Sequence, residues 1–135
     1  MDSGSSHQDS MPTSTKMDRL PSVGCSATRE ILKRMGDKWS LDVLCNLRKE
    51  PVRFSELQTE LAGISQRALV LALRGLERHG LVTRTQYPTI PPRVDYELTP
   101  LGREFLKELM AFVSWVEAHR PDIQGAQNRF DRTRR

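Results

Sequence analysis

Five arginines, Arg67, Arg74, Arg78, Arg84 and Arg93, fall within residues 65–94, against the single acid Glu77. A guanidinium is a planar fork of donors that fits a carboxylate, a phosphate or the O6 and N7 edge of guanine. At about 3.6 residues per helical turn, Arg67, Leu71, Arg74 and Arg78 fall on one face, with Val70 at its edge. Leu69, Ala72, Leu73 and Leu76 share the opposite face. Ser65 and Gln66 stand where the free amides of a first helical turn can hold a phosphate or an adenine edge. Leu71 or Val70 can meet a thymine methyl. Such a helix buries its leucines and leaves a cationic face for an anionic, grooved partner. A merely solvated basic face is the plain alternative.

Other chemistry is sparse. There are only two cysteines, with no CxxC pair. Cys25 precedes a helix start with Arg29 one turn on; the helix dipole and the cation both favour its thiolate. Cys45 lies in an apolar stripe and reads as core. His7, His79 and His119 are scattered and pair with no other ligand, so no metal site is expected. No glycine-rich phosphate loop or nucleophile elbow occurs, and nothing calls for a cofactor or catalytic residues. Trp39 and Trp115 sit beside apolar helical stripes and read as packing residues.

The elements that position these groups can be read from pattern. Ser26 can cap a first helix with Ala27, Ile31, Leu32 and Met35 at helical spacing, which Gly36 and Asp37 break. Ser40 caps a second helix carrying Leu41, Leu44, Leu47 and Cys45, which Pro51 closes. Ser55 and Gln58 predict a capping box for a third helix. Ala62 and Gly63 turn into the fourth, capped by Ser65, with Ile64 and Leu69 as a hydrophobic staple. Gly80 ends that helix in the left-handed conformation.

Two β-prone runs, LVTRTQY and RVDYELT, flank a tip with Pro88, Pro91 and Pro92. In the second run Val94, Tyr96 and Leu98 alternate inward, with Asp95 and Glu97 outward. Arg84 and Arg93 on these strands suit a wing touching backbone or minor groove, or else pair with Asp95 or Glu97. Thr99 and Pro100 open a final helix. Its stripes Leu101, Phe105, Leu109, Phe112, Val116 and Leu106, Met110, Val113 cover more circumference than one core needs. The surplus calls for a partner subunit, with Leu106, Met110, Phe112, Val113 and Val116 at the dimer interface.

The fold expected is therefore mainly α with a small β-hairpin: a winged helix-turn-helix with flanking N- and C-terminal dimerisation helices. At 135 residues the chain suits one domain. Residues 1–24 read as a disordered arm, 25–120 as the folded domain and 121–135 as a basic disordered tail. The formal net charge of +4 favours an anionic partner. The polar opening lacks the apolar core of a signal peptide, so a cytoplasmic, reducing setting is expected.

The runs GDKWSLDVL, RFSEL, GISQRAL, LRGLERHGLVTR and PPRVDYELTPLG, in this order and spacing, resemble the HxlR-type family of bacterial transcription regulators. The resemblance covers about residues 25–119. It implies a homodimer binding two half-sites of a double-stranded DNA operator, with Cys25 as the residue through which some relatives sense an electrophile or oxidant. Many relatives have proline where Ser26 stands and threonine where Val70 stands. The expected function is sequence-specific, redox-responsive transcription regulation, as a repressor and without enzymatic activity. The alternative is a winged-helix module docking an acidic protein.

Overall fold

The computed structural model describes residues 25–134, so the arm expected at 1–24 lies outside the described residues. The chain divides at Gly36 into two units. The first contributes α1 (Ser26–Gly36), an amphipathic helix whose residues all keep some exposure. Asp37 opens the second unit and caps α2 (Lys38–Asn46), accepting from the Trp39 amide at 3.3 Å. Ser40, expected as this cap, is instead fully buried one turn in, and its hydroxyl donates to Asp37 at 2.6 Å. The carboxylate wins the cap because it satisfies a backbone amide and a buried hydroxyl together.

A short strand β1 (Val52–Arg53) leads into α3 (Phe54–Glu60), which begins one residue before Ser55. The capping box expected from Ser55 and Gln58 is absent: Arg53 holds the cap position without a side-chain bond. Ser55 already lies inside the helix, where its carbonyl accepts from the Thr59 hydroxyl. After the turn at Ala62 and Gly63, Ser65 caps α4 (Gln66–Arg78), accepting from the Ala68 amide at 3.0 Å.

The strands β2 (Val82–Tyr87) and β3 (Arg93–Leu98) form the hairpin, and β1 adds to it in the order β1-β3-β2, all antiparallel. The third strand escapes a pattern reading because two residues carry no period. Its presence makes β3 central, which explains why Asp95 is buried rather than outward: Arg53 faces it from one neighbour and Thr85 from the other.

The core gathers Val43, Leu44 and Leu47 of α2, Leu57 of α3, Leu69, Leu73 and Leu76 of α4, and Leu98 of β3. From α5 (Pro100–Arg134) come Leu106 and Leu109, both buried. Residues 121–134, expected as a disordered tail, continue α5 as helix through Pro121. Pro121 has no amide to donate, yet the helix runs on past it to Arg134.

One junction joins the last turn of α4, the foot of the hairpin and the first turn of α5. Gly80, at φ 78°, occupies the left-handed position, letting its amide reach the Glu77 carbonyl and the Leu81 amide reach Leu76. The Thr99 amide donates to the Leu81 carbonyl at 3.1 Å, and the Thr99 hydroxyl donates to the Gly80 carbonyl at 2.7 Å. That hydroxyl also accepts from the Gly102 amide at 2.9 Å, capping α5. A Cβ on Gly102 would stand 2.0 Å from the Leu81 carbonyl oxygen, so only glycine fits. Gly102→Ala should therefore destabilise the fold by about 3 kcal/mol through overpacking. Urea unfolding checks this, and an unchanged midpoint would contradict the close approach.

Candidate nucleic-acid interface

The division of α4 into two faces is complete. Leu69, Ala72, Leu73 and Leu76 are buried, while Arg67, Leu71, Arg74 and Arg78 are exposed and Val70 is half-buried. Leu71 is 54% exposed, an apolar side chain among the arginines of this face. Ser65 and Gln66 lie exposed at the helix start, so the first-turn amides open toward solvent beside Arg67. Ile64 and Leu69, expected as a staple, are both buried.

On the hairpin the two expected arginines differ. Arg84 is exposed and donates to the Gln86 side chain at 3.3 Å. Arg93 is committed to its own strand: its Nε donates to Asp95 Oδ1 and its Nη2 to Oδ2, both at 3.0 Å. Its guanidinium also lies 5.4 Å from the centre of the Tyr87 ring. The hydrogen bond from Arg93 holds the Asp95 carboxyl below its ordinary range, with Arg53 adding to the same effect. Arg53 is a cation of this sheet that sequence reasoning missed, since only the strand register shows what it faces. Ile90 projects fully exposed from the hairpin tip.

Cys25 is exposed and lies just before α1. The amides of Thr28 and Ala27, with the Thr28 hydroxyl, pull its thiol below the usual cysteine value. These donors, rather than Arg29, produce the shift. Cys45 is half-buried and lies 4.0 Å from the Met110 sulfur, and burial pushes its thiol up.

Of the residues expected at a dimer interface, Leu106 is instead buried within the chain. Met110 and Phe112 are exposed, and Val113 and Val116 half-buried. Trp115, expected to pack, is instead 53% exposed. Its ring stacks on His119 at 4.1 Å between centroids, with Phe112 at 6.5 Å on the preceding turn.

The described residues thus form a helix-turn-helix, with an arginine-bearing second helix followed by a hairpin in a three-stranded sheet. The profile described as HxlR-like helix-turn-helix matches residues 34–124. The chain belongs to the HxlR-like helix-turn-helix family.

The HxlR-like chain is 36% identical over 96 residues to YtfH of Escherichia coli (strain K12), an uncharacterized HTH-type transcriptional regulator, covering 71% of this chain and 76% of that one. It is similar to the solved ytfH protein of Salmonella typhimurium, with 35% identity, a TM-score of 0.66, and 75% and 90% of the two chains covered. It also resembles the redox regulator HypR in its reduced form, with 33% identity, a TM-score of 0.62, and 70% and 93% coverage. The protein is thus a helix-turn-helix transcription regulator and not an enzyme. Among the described residues, no helix is long and apolar enough to cross a membrane.

The Arg93–Asp95 pair carries a pH signature. Asp95 has a depressed pKa when folded, so its contribution is complete above the unfolded carboxyl value of about 4. It fades as the pH falls through the lower folded value. Asp95→Asn should remove that acid-side loss. Thermal melts of both proteins at descending pH check it; parallel slopes would contradict the pairing.

Proposed function

We propose that this HxlR-like regulator acts as a homodimeric repressor. It reads a pseudo-palindromic DNA operator with α4 and is released by an oxidant acting at Cys25. One observation carries the reading: α4 is amphipathic, with Leu69, Leu73 and Leu76 buried and Arg67, Leu71 and Arg74 turned to solvent. Arg67, near the open first turn, is placed for a bidentate contact with a guanine edge, beside Ser65 and Gln66. Arg74 and Arg78, further along the helix, supply phosphate contacts, with Arg84 doing the same from the wing. Val70 and Leu71 offer apolar contact to a thymine methyl. Arg93 contributes mainly by stiffening the wing through Asp95.

The dimer reading is supported by the apolar residues of α5, where Met110, Phe112 and Trp115 are exposed and Val113 and Val116 half-buried. Leu32 of α1, 46% exposed, gives a second apolar surface for a partner. Two copies would present two α4 helices to half-sites about 10 bp apart or a multiple of it.

Support for oxidant control comes from two directions. HypR, one of the similar structures, is described as a redox regulator and is solved in oxidized and reduced forms. In the present chain the exposed Cys25 thiol is drawn toward thiolate by three hydrogen-bond donors. The thiolate would give two electrons to hypochlorous acid, yielding a sulfenic acid and chloride.

Arg67→Ala should weaken operator binding by about tenfold and relax preference at one base pair. Arg74→Ala should lower the salt slope by about one with preference retained. Footprinting and titrations across salt concentrations separate the two; unchanged preference in the first variant removes base reading at Arg67. Cys25→Ser should keep operator binding but abolish hypochlorite-induced release, measured by fluorescence anisotropy. Release persisting in that variant would move sensing elsewhere.

A further inference from the structure

Between α4 and the wing lies a cleft of about 610 Å³, lined by Phe54, Val70, Arg74, Glu77, Arg84, Val94 and Tyr96. Small-molecule sites occupy roughly 300–1,000 Å³ and combine an apolar lining with a few placed polar groups. Here two aromatic rings and two valines supply apolar lining, and two guanidiniums against one carboxylate give the lining a net positive charge. Tyr96 is buried, and Phe54, Val70 and Val94 are half-buried, so these side chains form a recessed surface rather than a flat exposed patch.

A DNA phosphate needs donors and makes no use of apolar walls. An organic carboxylate with a flat ring uses both, setting its ring against Phe54, Val70 and Val94 and its charge between Arg74 and Arg84. We propose that this cleft is an effector site for a small aromatic carboxylate. Its occupant would take up the two arginines assigned above to the DNA backbone, so acid and operator would compete. That consequence rests on the operator reading; binding of the acid itself does not. Such a site would give the regulator a signal chemically unrelated to Cys25.

The probe is 1-naphthoate, titrated calorimetrically into the full chain, with the uncharged 1-naphthamide and inorganic phosphate alongside. One naphthoate should bind per chain, with the amide at least about tenfold weaker, since a charged hydrogen bond is being lost. Phosphate should bind more weakly still. Arg84→Gln, a change at an exposed position, should weaken naphthoate about tenfold, and Val94→Trp, which fills the cleft, should abolish binding. In the wild-type chain naphthoate should lower duplex affinity.

Absence of saturable naphthoate binding would overturn the proposal. So would equal binding of the amide or of phosphate, or binding that survives Arg84→Gln unchanged. Duplex binding is measured on the same samples. Intact duplex binding without naphthoate binding defeats the cleft alone. Charge-dependent naphthoate binding in a chain that binds no duplex supports the cleft and defeats the operator reading.

Discussion

The backbone contact between Leu81 and Gly102 constrains three elements at once. The Leu81 carbonyl receives the Thr99 amide, while the Leu81 amide closes the last turn of α4. Thr99 then spends its hydroxyl twice, once on Gly80 and once on the α5 cap. Buried backbone groups must find partners, and here each partner belongs to a different element. The end of α4, the foot of the hairpin and the start of α5 therefore cannot move independently. The absence of a side chain at residue 102 permits that approach.

Around this junction the chemistry divides by face. The leucines of α4 hold the helix on the core, which leaves the orientation of Arg67 and Arg74 to the backbone rather than to side-chain chance. The wing is stiffened differently, by a polar pair. Arg93 and Asp95 form two parallel bonds on the central strand, and Tyr87 lies over the guanidinium. An arginine tied in this way is held by its own strand, whereas the exposed Arg84 has a longer bond to the Gln86 side chain at 3.3 Å. The two strand cations thus sit in different settings despite similar sequence surroundings.

Much of this was legible in the residues alone. The leucine and arginine faces of α4, its Ser65 cap and its Gly80 terminus follow from spacing and from the few residue types that suit those positions. Other features depended on competition that spacing does not encode. Asp37 outcompeted Ser40 for a cap because it also served a buried hydroxyl. The two residues of β1 are too short for a period, and without them Asp95 reads as an outward residue. Pro121 reads as a helix end, yet α5 continues through it to Arg134. Leu106 carries the same apolar signal whether it faces its own core or a partner, and only the fold shows that it is buried within the chain.

The length of α5 has a mechanical consequence. Its 35 residues span roughly 52 Å at 1.5 Å per residue. Its first turn is clamped to the end of α4, so the helix is a lever whose short arm is that junction. A tilt of about 5° at the junction sweeps the far end through roughly 4.5 Å on that length. Run in reverse, a displacement of several ångströms near Phe130 is geared down to a small, accurately set rotation at Arg67.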